Sequence, residues 1–270
     1  METFAGFGEH TDYEIGRLVH AIRDIGKLEN TLFFYIVGDN GASAEGGPDG
    51  SYNELLTLNG IVSDVSSQLP HIDEWGGPNT FPHFSIGWAY AGNTPFQWTK
   101  QVASHFGGTR NPMVMHWPNR IKARGELRSQ FHHVIDVAPT VLDAAGLPEP
   151  TMVNGTTQRP MDGVSMLYTA ADPTAKERRT TQYFDPWLMA PLPPFDQDRW
   201  ELYNITEDFS QANDLAAQNP ARLKELQDLF VAGGGPQPRV PAGRSPRGAL
   251  QRCDRRPAGP HGPPHLADPV

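Results

Sequence analysis

The chain has 270 residues, of which 38% are apolar, 10% aromatic and 20% charged. This composition supports one large domain or two modest ones and excludes a wholly disordered chain. The single cysteine, Cys253, excludes disulfide scaffolds, thiolate zinc fingers and iron–sulfur clusters. The net charge of −9 divides unevenly: from Ala232 to Val270 six arginines face two aspartates, so this tail is +4 and the remainder −13. An acidic body argues against nonspecific nucleic-acid binding, which needs clustered Lys and Arg.

No run reaches the ~18 consecutive apolar residues of a membrane span. Met1-Glu2-Thr3-Phe4 lacks the basic and apolar regions of a secretory signal, so cytoplasmic is the default expectation.

From Thr11 to Gly26, Ile15, Leu18, Val19, Ile22 and Ile25 keep the 3.6-residue period of a helix. Thr11 and Glu14 fit a capping box and Gly26 a stop, although Phe4 and Phe7 extend the same face. Thr31-Leu-Phe-Phe-Tyr-Ile-Val37 reads as a strand covered on both faces, and helix followed by buried strand points to an α/β fold. It ends in Gly38-Asp39-Asn40-Gly41, where parallel-sheet proteins place ligand sites. Residues 42–94 are rich in Gly, Asn, Pro and Ser and read as a long excursion of loops and short helices.

Met113-Val-Met-His-Trp117 predicts a second strand closed by Pro118, and Val134 to Gly146 a helix with Asp136 as N-cap. Beyond Leu167 a smaller unit begins. Gln182-Tyr183-Phe184 and Trp200-Glu-Leu-Tyr203 suit short strands, and Asn219-Pro220 opens a helix carrying Leu223, Leu226, Leu229 and Phe230. The residues after Val231, with nine prolines and six arginines, lack the apolar surface to offset their ordering entropy.

Asp39 and Asn40 offer hard oxygen donors suited to Ca²⁺ or Mg²⁺, but Ca²⁺ takes six to eight oxygens, and an Asx turn explains the same residues locally. Lys100 before Gly107-Gly108-Thr109-Arg110 suits an oxyanion but lacks the order of a Walker loop, and a lone lysine is usually a solvated surface group. His132-His133 on a strand would point to opposite faces and cannot chelate one ion. Asn154-Gly-Thr156 and Asn204-Ile-Thr206 match glycosylation acceptors, which without a secretory signal are expected to be chance matches.

Together, Asn30-Thr31-Leu-Phe-Phe-Tyr-Ile-Val-Gly-Asp39-Asn40-Gly41-Ala-Ser-Ala-Glu45-Gly46 closely resembles the metal-binding segment of type I sulfatases (arylsulfatases) of the alkaline phosphatase superfamily. Four further stretches fit in order: His10-Thr11-Asp12 to Arg17-Leu18; Trp98-Thr-Lys100 to Arg110; Val134-Ile-Asp136-Val-Ala-Pro139-Thr140; and Trp200-Glu-Leu-Tyr203 with Asn213-Asp214-Leu215-Ala216.

The resemblance implies a sulfate-ester hydrolase fold. Here that means a partial alkaline-phosphatase-like mixed sheet flanked by helices, a small α+β C-terminal unit and a disordered tail. The expected divisions are 1–168, 169–231 and 232–270, the last disordered or read out of frame. The resemblance also implies that Asp39 and Asn40 are two ligands of Ca²⁺ or Mg²⁺ and that Lys100 contacts substrate sulfate. His105 becomes a secondary pocket residue, because six residues, Gln101 to Phe106, separate Lys100 from Gly107 where most members have five.

The departures are equally specific. The family's formylglycine motif, Cys-x-Pro-x-Arg, is absent, since Cys253 stands in Cys-Asp-Arg-Arg-Pro257. The Asp-Asp metal pair and the upstream Lys and His of the sulfate pocket are also missing, and Phe184-Asp185-Pro186-Trp187 suggests an internal deletion. The expectation is therefore the C-terminal portion of an arylsulfatase, incompetent alone, with a sulfate ester and a complementing N-terminal segment as partners. The alternatives are a phosphate or phosphonate ester hydrolase of the same superfamily, or a noncatalytic metal- or partner-binding fragment.

Overall fold

In the computed structural model the described residues are 1–38, 40–61, 63–184, 199–233, 249–250 and 255–256. In chain order the elements are α1 (Glu2–Asp24), β1 (Phe33–Ile36), α2 (Glu54–Leu58), α3 (Val65–Gln68), α4 (Ile86–Asn93), α5 (Phe106–Thr109), β2 (Met113–His116), α6 (Val137–Ala145), β3 (Met152–Val153), β4 (Thr156–Thr157), α7 (Leu167–Ala171), β5 (Tyr183–Phe184), β6 (Arg199–Trp200), α8 (Pro220–Gly233), β7 (Ala249–Leu250) and β8 (Arg255–Arg256). The fold is thus mixed α/β, with helices and small antiparallel sheets pairing β1 with β2, β3 with β4, β5 with β7 and β6 with β8. No helix among the described residues is long and apolar enough to cross a membrane.

The chain forms two compact units, residues 1–10, 37–112 and 183–270 in one, and 11–36 with 113–182 in the other. Helix α1 starts nine residues before Thr11, so Thr11 lies inside it and the expected capping box does not form. Gly26, in the left-handed region at φ 69°, ends the turn after it.

In the second unit β1 runs antiparallel to β2, Phe33 opposite His116 and Ile36 opposite Met113. The reading of β1 as covered on both faces is corrected. Among the described residues it pairs with β2, and with Phe33, Phe34 and Tyr35 half-buried and Ile36 38% exposed its faces are only partly covered.

The predicted helix at 134–146 is a 3-10 turn, Val134–Asp136, leading into α6 and closed by left-handed Gly146. Asp136 is the N-cap residue of α6 as expected, but its side chain bonds no α6 N–H and instead completes a capping box with His133 around the 3-10 turn. The Asp136 carboxylate, fully buried, accepts from the backbone N–H groups of His133 (3.0 Å) and Val164 (2.9 Å) and from the Arg179 guanidinium (3.2 and 2.5 Å). Thr140 Oγ1 donates to the Asp136 carbonyl (2.6 Å) and accepts from Met166 N–H (2.9 Å). The Asp136 to Thr140 motif therefore ties α6 to residues 162–166, a structural role.

In the first unit Trp200, Leu202, Leu226 and Phe230 form a core, with the Trp200 and Phe230 rings edge-on at 5.3 Å. Leu229, expected on the same face of α8, is 42% exposed, since it lies one position off the Leu226 and Phe230 stripe. The Asp214 carboxylate accepts from Leu202 N–H (3.0 Å) and Ala216 N–H (2.9 Å), which accounts for the Asn213 to Ala216 motif as a brace of this core.

Candidate functional site

The site is built in the first unit, where residues 40–46 pack against the 93–111 segment. Gly41, at φ 84°, lies so close to Gly107 that a Cβ would meet its carbonyl oxygen at 1.9 Å. Gly41 N–H donates to Asn111 Oδ1 (3.1 Å), and Ala42 N–H to Asn93 Oδ1 (3.2 Å). The Asn93 amide in turn donates to the carbonyls of Trp98 (2.9 Å) and Gly107 (3.0 Å). Lys100 N–H donates to the Ala42 carbonyl at 2.9 Å. The two loops are therefore stitched together by one backbone–backbone bond and by the Asn93 and Asn111 side chains.

At their junction the Lys100 ammonium pairs with Glu45, at 3.1 Å from Oε1 and 2.9 Å from Oε2. Gln101 Nε2 donates to the same carboxylate (2.9 Å), as does Ser43 Oγ (2.6 Å). His83 Nε2 stands 2.8 Å from Ser43 Oγ and its Nδ1 2.8 Å from the Phe84 carbonyl. Burial pushes the Glu45 carboxyl up, but the Lys100 and Ser43 hydrogen bonds and the charges of Lys100 and His83 outweigh it, holding it below the usual carboxylate range. The pair is partly open, with 29% of the Lys100 side chain and 38% of Glu45 exposed.

Of the expected site residues, Asp39 lies outside the described residues, and Asn40 is exposed beside it. His105 is fully buried. Its Nδ1 is 2.9 Å from Ser104 Oγ, its Nε2 3.7 Å from Glu201, and its ring lies edge-on to Trp98 and Tyr203. Gln211 supports the Lys100 loop from the C-terminal segment, accepting Phe106 N–H at 2.8 Å.

Among the described residues no three His, Cys, Asp or Glu side chains gather as a metal-holding group. Asp39 and Asn40 supply two donors of the right chemistry, too few for Ca²⁺. The ligand set does not close among the described residues. Sequence reasoning missed Glu45, His83, Asn93 and Asn111. Glu45 lay within a quoted motif without a role, and His83 in a segment with no periodicity to place it.

A family model described as Sulfatase matches residues 1–147. The chain belongs to the sulfatase family. This sulfatase-family chain is 26% identical over 251 residues to an uncharacterised sulfatase of Schizosaccharomyces pombe, covering 86% of this chain and 42% of the relative. It is 27% identical over 166 residues to an arylsulfatase of Klebsiella aerogenes, covering 62% of this chain and 34% of that protein. A solved structure titled for the metabolism of multiple glycosaminoglycans by Bacteroides thetaiotaomicron aligns at 18% identity with a TM-score of 0.49, covering 83% of this chain and 42% of that one. The sulfatase-family chain thus spans less than half the length of these relatives.

Proposed function

We propose that this chain carries the Lys100 limb and the Asp39–Asn40 limb of a sulfate-ester hydrolase site and does not turn over substrate alone. The observation that carries the reading is the hydrogen bond from Lys100 N–H to the Ala42 carbonyl, which seats the cation on the loop that holds Asn40. The Lys100 ammonium binds the sulfate and stabilises charge gathering on its oxygens as the ester bond breaks. Asp39 and Asn40 are two oxygen donors toward Ca²⁺ or Mg²⁺, whose remaining ligands lie outside the described residues. His105, buried beneath Lys100's loop, positions it rather than touching substrate.

Incompetence alone follows from the absent formylglycine motif, because oriented donors do not replace a covalent nucleophile. The test is titration of the purified chain with 4-nitrophenyl sulfate in the presence of calcium. The expected result is no turnover, with binding weakened about tenfold in Lys100→Ala. Sustained hydrolysis would refute the incompetence, and affinity unchanged in Lys100→Ala would refute the role of Lys100.

A further inference from the structure

We infer that His83 carries protons on both ring nitrogens and, as an imidazolium acting through Ser43 and Glu45, is a positioning residue for Lys100. A backbone carbonyl only accepts, so the 2.8 Å contact between His83 Nδ1 and the Phe84 carbonyl requires a proton on Nδ1. Ser43 has one hydroxyl proton. The Glu45 carboxylate, already accepting from Lys100 and Gln101, also only accepts, so the 2.6 Å Ser43–Glu45 contact uses that proton.

The 2.8 Å contact between Ser43 Oγ and His83 Nε2 then has no proton left from serine, and Nε2–H must donate. The two lone pairs of Ser43 Oγ are filled consistently, by His83 Nε2–H and by Glu45 N–H at 3.4 Å. A neutral His83 leaves one of these contacts without a proton. A protonated Glu45 would restore the count but is incompatible with its two contacts to the Lys100 ammonium.

The charged groups in contact with this chain of bonds are His83, Glu45 and Lys100, two cations flanking one carboxylate. The cluster therefore keeps a net charge of +1 with the carboxylate in place, and takes one oxyanion at Lys100 without expelling Glu45. Ser43 and Gln101 hold Glu45 while the ammonium retains donor capacity for the anion. The His83 Nε2–H contact holds Ser43 Oγ with its own proton directed at Glu45, and that serine bond fixes the carboxylate toward Lys100.

The anion half of this inference rests on the proposed role of Lys100; the protonation of His83 does not. Its test is long-range proton–nitrogen NMR of the histidine rings in ¹⁵N-labelled chain, recorded from about pH 5 to about pH 9, with the His83 signals assigned by their loss in His83→Gln. At neutral pH two N–H-type nitrogens are expected for His83, reverting to one pyridine-type nitrogen in Ser43→Ala. The affinity for 4-nitrophenyl sulfate should fall about threefold to tenfold in Ser43→Ala.

One pyridine-type nitrogen in the wild-type ring at neutral pH, with Lys100-dependent binding intact, would overturn the His83 inference alone. A doubly protonated ring without Lys100-dependent binding would overturn the Lys100 reading and the positioning role built on it.

Discussion

The α-carbon of Gly41 faces the Gly107 carbonyl so closely that a Cβ there would stand 1.9 Å from the oxygen, with the backbone already at φ 84°. Neither strain can be relieved by a rotamer, because the opposing atoms are backbone. Gly41→Ala is expected to cost about 2 kcal/mol or more, read by urea unfolding. It should also separate the Asn40 loop from the Lys100 loop, so aryl sulfate binding should fall with stability. A variant of wild-type stability would show that the loops do not meet as described.

Asp136 and Arg179 form a buried ion pair, with 0% and 9% of their side chains exposed. Removing either partner leaves a buried charge, and Arg179→Ala or Asp136→Ala should each cost about 3–5 kcal/mol. Burial raises the Asp136 carboxyl, but hydrogen bonds from His132, Arg179, Val164 and His133 prevail and hold it well below the ordinary carboxylate range. Its stabilisation is therefore fully present above its ordinary value of 3.8 and lost as pH falls below that toward the depressed folded value. Thermal melts at descending pH should show this loss in wild type and a flatter profile in Asp136→Asn.

Lys100 and Glu45 are partly solvated, so their pair adds little to folding. Lys100→Ala should change stability by about 1 kcal/mol or less while weakening anion binding about tenfold. This separation of binding from folding is read by melts and aryl sulfate titration on one sample. A large stability loss would move Lys100 from the site to the scaffold.

Gln211 reaches from the C-terminal segment to Phe106 N–H, and both residues are buried. Gln211→Ala strands that donor, at about 1–3 kcal/mol. Because the bond lies on the Lys100 loop, anion affinity should drop as well, and calorimetric titration alongside urea unfolding checks both.

The elements legible in the sequence were those with strong local signals. The period of α1, the apolar run of β1 and the Asn219-Pro220 start of α8 each depend on neighbours a few residues away. The capping box at Thr11 failed for a complementary reason, since Phe4 and Phe7 continue the apolar face and carry the helix through it. Lys100 and Asn40 were found through motifs, but the partner of Lys100 was not, because Glu45 lies 55 residues away and nothing local distinguishes it from a solvated glutamate. His83 stood in the Gly-rich excursion, where no periodicity assigns a direction to any side chain.

By itself the sequence determined the family-bearing motifs, the mixed α/β character, the lack of disulfides and the absence of Cys-x-Pro-x-Arg, since these are properties of composition and short-range order. Only the tertiary structure decided that His105 is buried against Glu201 and Tyr203, that Asp136 braces α6 with Arg179, and that His83, Ser43 and Glu45 converge on Lys100. Hydrogen bonds act over about 3 Å between residues tens of positions apart, and which of them meet is fixed by the path of the backbone, not by spacing along the chain.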